Sequence, residues 1–115
     1  MNSNCLISIV IPSFNQGEFL RETIESVISQ QDPALELIIM DGGSTDNSVE
    51  IIKEYAAHLK YWQSQPDNGQ SAAINAGFKI ASGRFKAWLN SDDILLPGAI
   101  AAFRPASAFA CVRLF

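Results

Sequence analysis

Asp92 and Asp93 stand side by side after an apolar run, in Asn90-Ser91-Asp92-Asp93. Adjacent carboxylates suit a hard cation, because Mg²⁺ and Mn²⁺ are commonly held by one or two carboxylates and the phosphate oxygens of a substrate. The same pair suits the approach to a helix beginning near Pro97, where aspartate is favoured by capping and by the helix dipole. Asp41 opens Asp41-Gly42-Gly43-Ser44, which reads either as a turn or as an acceptor for the N–H or hydroxyl groups of a ligand. Asp67-Asn68-Gly69 is a tight turn carrying another acid, and Pro12-Ser13-Phe14-Asn15 is a further turn-forming stretch.

Other chemistries lack their residues. No Gly-x-x-x-x-Gly-Lys-Ser/Thr loop is present, no Gly-x-Gly-x-x-Gly follows the first apolar run, and no Gly-x-Ser-x-Gly elbow occurs. The single histidine, His58, cannot build a histidine-rich metal site and falls at the solvent edge of its helical stripe. Cys5 and Cys111 lie near opposite ends and form no disulfide framework or paired-Cys metal knuckle, which suits a reducing, cytoplasmic setting. A net charge of −4 opposes binding that works by neutralising nucleic-acid phosphates. The N-terminus has no basic stretch and no signal-peptide pattern. The apolar stretch from Ile94 to Val112 is a poor membrane span, since Pro97 and Pro105 interrupt it and Arg104 sits inside. A mid-helix arginine alone costs about 2.5–3.5 kcal/mol on insertion scales.

These residues need a scaffold, and the apolar pattern supplies one. Leu6 to Ile11 is a short β-branched run stopped by Pro12, which predicts a buried strand. Leu20, Ile24, Val27 and Ile28 then put one apolar stripe on a helix of residues 18–30, ended by Asp32-Pro33. Leu35 to Met40 predicts a second strand. Ile52, Tyr55, Ala56 and Leu59 mark the next helix, with capping candidates in Ser44-Thr45-Asp46. Residues 61–64 suggest a short strand, and Ile74, Gly77, Phe78 and Ala81 a helix closed by Ser82-Gly83. Residues 85–89 are the last clear strand. Strands alternating with helices predict an α/β domain with a parallel sheet covered on both faces. Ligands of such sheets bind beyond the carboxyl ends of the strands. That rim would bear Asp41, Asp67, Asp92 and Asp93.

The order and wording of these segments carry more than any one of them. Ile9-Val10-Ile11-Pro12-Ser13-Phe14-Asn15, Ile38-Ile39-Met40-Asp41-Gly42-Gly43-Ser44-Thr45-Asp46, Asp67-Asn68-Gly69-Gln70-Ser71 with Asn75-Ala76-Gly77, and Trp88-Leu89-Asn90-Ser91-Asp92-Asp93 closely resemble the family 2 glycosyltransferases. The resemblance spans residues 7–103. It implies a GT-A fold, a Rossmann-like parallel-sheet sandwich, of which this chain holds the N-terminal, nucleotide-sugar-binding part. It also implies inverting transfer of a sugar to a hydroxyl acceptor. Carried over position by position, Pro12, Ser13, Phe14 and Asn15 line the nucleotide, and Asp41 hydrogen-bonds the base, typically uracil. Asn68 and Gly69 add nucleotide-sugar contacts. Asp92 and Asp93 match the DXD-type pair, with Asp93 the direct ligand of Mn²⁺ or Mg²⁺ and Asp92 nearer the sugar or ribose.

Two departures shape the expectation. Ile74 stands where many members carry an arginine, so a contact to the nucleotide is missing or supplied elsewhere. The family's general base is an Asp or Glu of the acceptor-binding half, and this chain has no carboxylate after Asp93. Residues 1–93 hold 12 acids and 6 bases, whereas residues 94–115 hold only Arg104 and Arg113. The chain therefore divides into a nucleotide-sugar-binding domain over 1–103 and a divergent apolar tail over 104–115, truncated relative to the family pattern. The expected partner is a UDP-sugar, with no nucleic acid, no membrane segment, and self-association through the tail. A non-catalytic nucleotide-sugar-binding or assembly module is the alternative. A phosphoacceptor role for Asp41 finds no lysine or threonine placed to support it.

Overall fold

The computed structural model describes residues 7–100. Four parallel strands, β1 (Ile7–Ser13), β2 (Leu35–Asp41), β3 (Tyr61–Ser64) and β4 (Phe85–Trp88), form one sheet in the order β3-β2-β1-β4. Three helices, α1 (Gly17–Ile28), α2 (Ser48–Glu54) and α3 (Gln70–Ile80), connect them in turn. The first three strands step outward in one direction, and the chain then crosses back to lay β4 on the far side of β1. The expected α/β class and parallel sheet are both present.

Alternation along β1 and β2 sorts the core into two layers. Ile7, Ile9, Ile11, Leu37 and Ile39 meet Leu20, Ile24 and Val27 of α1 and Ile51 and Ile52 of α2. Val10, Ile38 and Met40 point the other way, onto Ala73 of α3. A continuous apolar run is what two covered faces require.

Three elements differ from the simple reading of the pattern. Pro12 does not stop β1, which continues to Ser13 in register with Asp41 of β2. Leu89 N–H donates to the Val10 carbonyl and Gly42 N–H to the Ser13 carbonyl, so alternate residues face β4 and β2. Pro12 therefore turns its missing donor toward the β4 side, where pairing has already ended at Val10↔Trp88. The helix expected through Leu59 ends at Glu54 and passes into a 3₁₀ turn at Ala56–His58. On α3 the buried residues are Ala73 and Gly77, while Ile74 is only half-buried. A Cβ on Gly77 would lie 2.6 Å from Val10 Cγ1, so small residues are what let α3 lie close on the sheet. His58 is exposed, as its place on the stripe suggested. Cys5, Cys111 and the whole 104–115 tail lie outside the described residues.

Candidate functional site

The turns after β1, β2, β3 and β4 gather at one edge of the sheet and enclose a cleft of about 710 Å³. It lies where the strand order reverses, beside the ends of β1 and β4, the position at which open α/β sheets bind ligands. Pro12, Ser13, Phe14 and Gln16 line it from the β1 side, Gly42 from β2, and Asn90, Ser91 and Asp92 from β4. Pro66, Asp67, Gly69, Gln70 and Ala73 close the side nearest α3.

Each wall has a local cause. Asn15 takes a left-handed conformation, φ 52°, which asparagine tolerates better than most residues. Its Oδ1 accepts from Thr45 N–H at 2.8 Å, and its own N–H donates to Ser44 Oγ at 2.8 Å. The β1 and β2 turns are thus stapled to each other, and Phe14 is held outward with 57% of its surface exposed. Gln16 offers no side-chain cap to α1, so Asp46 supplies one from the β2 loop, accepting from Gly17 N–H at 2.9 Å. Contacts with Ser48, and with the Gly17 amide against partial desolvation, hold the Asp46 carboxyl below the usual carboxylate range.

Asp41 is 1% exposed and lies beneath the cleft wall. Its carboxylate accepts from Ser44 Oγ at 2.6 Å, Ser44 N–H at 2.8 Å, Gly43 N–H at 3.1 Å and Ser64 Oγ at 2.8 Å. Four donors make it the centre of a knot joining the ends of β2 and β3. Gly42 follows it, and a Cβ there would come within 3.1 Å of both Asp67 carboxylate oxygens. Glycine at this position lets the β2 turn pass beside Asp67, whose Oδ1 also accepts from Gly69 N–H at 3.0 Å.

At the β4 end, Asp93 N–H closes a turn on the Asn90 carbonyl at 3.0 Å, and Gln70 Nε2 donates to Asn90 Oδ1 at 2.8 Å across to α3. Asp92 is exposed and Asp93 half-buried. No described protein donor reaches either carboxylate. Among the described residues no group of three or more His, Cys, Asp or Glu side chains could hold a metal unaided.

Of the residues singled out in the sequence, Pro12, Ser13, Phe14, Gly69 and Asp92 line the cleft. Asn15 and Asp41 brace its turns, Asn68 is exposed beside it, and Asp93 follows Asp92 in the β4 turn. Asp67, read as a rim acid, belongs to the lining, as do Gln16, Gly42, Gln70 and Asn90. Gln70 and Asn90 enter the sequence motifs without a role of their own, because a lone amide has no spacing to announce one; each only follows a turn or a strand end.

Two features point to what the cleft accepts. Its lining contains Asp67 and Asp92 but no lysine or arginine among the described residues. Ser13 Oγ is buried against the cleft without a protein partner among the described residues, although such hydroxyls are usually satisfied.

Residues 8–105 match the family model described as glycosyl transferase family 2. The uncharacterized glycosyltransferase YibD of Escherichia coli is 42% identical over 99 residues, covering 84% of this chain and 29% of that protein. Glycosyltransferase GlyG of Streptococcus pneumoniae is 34% identical over 93 residues, covering 78% of this chain and 31% of its own. Among solved structures, TarS of S. aureus in complex with UDP-GlcNAc superposes with a TM-score of 0.78 at 23% identity, over 87% of this chain and 30% of that one. The mannosyltransferase PcManGT of Pyrobaculum calidifontis, in complex with GDP-Man and Mn²⁺, gives 0.78 at 20% identity over 92% and 33%. The chain thus spans about a third or less of the length of these proteins.

Proposed function

This chain belongs to glycosyl transferase family 2 and carries the first part of a GT-A fold, and from that premise we propose that its cleft is the donor site of an inverting glycosyltransferase, binding a UDP-sugar with Mn²⁺ or Mg²⁺. The supporting observation is the charge of the lining. Two carboxylates and no basic side chain among the described lining residues would repel a diphosphate, which calls for a cation between them. The absence of a basic residue at Ile74, where many members have arginine, sharpens that demand.

The remaining walls suit the other parts of the ligand. Phe14 offers an exposed aromatic face on which a base can stack. The first turn of α3 opens on the cleft at Gly69 and Gln70 and has no side-chain cap, leaving N–H groups for phosphate oxygens. Asp92 and Asp93 would hold the cation, which when bound neutralises charge developing on the departing nucleoside diphosphate. Asp41 and Asn15 act here by fixing the turns that present Phe14, Ser13 and Gly42. In family relatives as long as YibD, attack by the acceptor hydroxyl would further need a general base near that hydroxyl. The TarS complex with UDP-GlcNAc and the PcManGT complex with GDP-Man and Mn²⁺ support the ligand class assigned here.

Calorimetry of the 115-residue chain with UDP and UDP-sugars, with and without Mn²⁺, tests the proposal. Binding that requires the metal is expected. A folded sample, checked by circular dichroism, that binds none of these ligands or binds them equally without metal would overturn it.

A further inference from the structure

We propose that Thr23, in the middle of α1, is the positioning residue for the Asp92 carboxylate. α1 carries a polar stripe, Thr23, Ser26 and Gln30, at spacings of three and four residues, and the segment after β4 is fastened along it. Ser26 Oγ accepts from Leu95 N–H at 2.9 Å. Gln30 Nε2 donates to the Leu96 carbonyl at 2.9 Å. At the head of the stripe, Thr23 Oγ1 lies 2.9 Å from the Ser91 carbonyl oxygen and 2.7 Å from that of Asp93. These two carbonyls flank Asp92 in the chain. The single hydroxyl proton, donated to one of these carbonyls or shared between them, therefore ties α1 to the backbone beside a residue that lines the cleft.

Packing alone does not account for threonine here. Thr23 is 1% exposed and shares its buried face with Leu20, Ile24 and Val27, where valine would fill the same volume without a hydroxyl to satisfy. The local alternative, the Phe19 carbonyl one turn back, is at 3.3 Å, the longest of the three approaches. The hydroxyl is thus spent on the β4 turn. Asp93 N–H to the Asn90 carbonyl closes that turn internally and Gln70 ties it to α3, so the Thr23 contact is what ties it to α1. Groups behind the residues that ligate a metal commonly set its affinity by fixing their orientation. The inference rests on the proposed reading of Asp92 as a donor-site carboxylate.

The test compares Thr23→Val, Thr23→Ser and Asp92→Asn with the wild-type 115-residue chain, using UDP and Mn²⁺ as the probes. Calorimetry gives affinity, and electron paramagnetic resonance of the bound Mn²⁺ reports its surroundings. Thr23→Val should weaken Mn²⁺-dependent UDP binding about 10-fold and alter the Mn²⁺ spectrum, whereas Thr23→Ser should stay within about twofold of wild type. If Thr23→Val does not fold, Thr23→Cys, a weaker donor of similar size, should show a smaller loss in the same direction. Wild-type affinity and spectrum in Thr23→Val, or equal impairment in Thr23→Ser, would overturn the proposal, the second by assigning the effect to the methyl group. Asp92→Asn separates the layers. If it loses metal-dependent binding while Thr23→Val keeps it, only the role of Thr23 falls; if it too binds as wild type, the reading of the cleft falls and takes that role with it.

Discussion

Phe14 and Asp41 belong to adjacent turns and take opposite roles in the proposed site, the first exposed and the second buried. Phe14 is more than half exposed and lines the cleft, so its removal should spare the fold. Base–aromatic stacking contributes about 1–3 kcal/mol, so Phe14→Ala should raise the Kd for UDP roughly 10-fold at an unchanged thermal midpoint. Calorimetry and a melting curve on one sample check both halves. Asp41→Asn should behave in reverse. An amide places an NH₂ donor among the Gly43 and Ser44 N–H groups and the Ser44 and Ser64 hydroxyls, all of which now donate to a buried carboxylate. Leaving buried donors unpaired costs about 1–3 kcal/mol each, so urea denaturation should show a lowered midpoint with an unchanged slope. Unaltered stability in Asp41→Asn, or an unfolded Phe14→Ala, would contradict these assignments. Sequence reasoning named both residues as ligand contacts, since residue type and strand-end position are the same kind of signal for each. Only burial separates them.

At the scale of elements, what repeats locally was legible and what joins distant segments was not. The β-branched run of β1 and the Leu20, Ile24, Val27 stripe of α1 each satisfy one period, and both appear where the pattern puts them. The continuation of β1 through Pro12 was hidden because proline's tolerance depends on where β4 ends, a fact belonging to another strand. The cap of α1 comes from Asp46, 29 residues beyond Gly17, and the fastening of Thr23 to Asp93 spans 70. Hydrogen bonds of that range leave no periodicity to read. Gly77 shows the intermediate case. As part of Asn75-Ala76-Gly77 it helped reveal the family, but its place on Val10 makes it a packing residue beneath the cleft rather than part of its lining. A motif can mark a site through residues that only support it.

Across the described residues the candidate chemistry is concentrated at one end of the sheet, where the turns after the four strands meet. His58, the one histidine, lies with Leu35 and Leu37 around a shallow hollow at the opposite ends of the strands, too far from the cleft to serve it. Asp67 and Asp92 line the cleft proposed as the donor site, and no carboxylate follows Asp93 in the sequence. Positioned general bases contribute about 10²–10⁴-fold, and correct placement of an acceptor adds more, so the proposed donor cleft, with neither supplied by the described residues, should bind and not turn over. The expectation is that the 115-residue chain, saturated with a UDP-sugar and Mn²⁺ in the presence of hydroxyl acceptors, releases UDP no faster than the same mixture without protein. Chromatography of free UDP measures this, and calorimetry on the same preparation confirms that the site is filled. Chain-dependent release that disappears in Asp92→Asn would show that a base is present among these residues after all. It would also overturn the division of labour drawn here, in which this segment holds the donor and the remaining two-thirds of relatives such as YibD would supply the acceptor and its base.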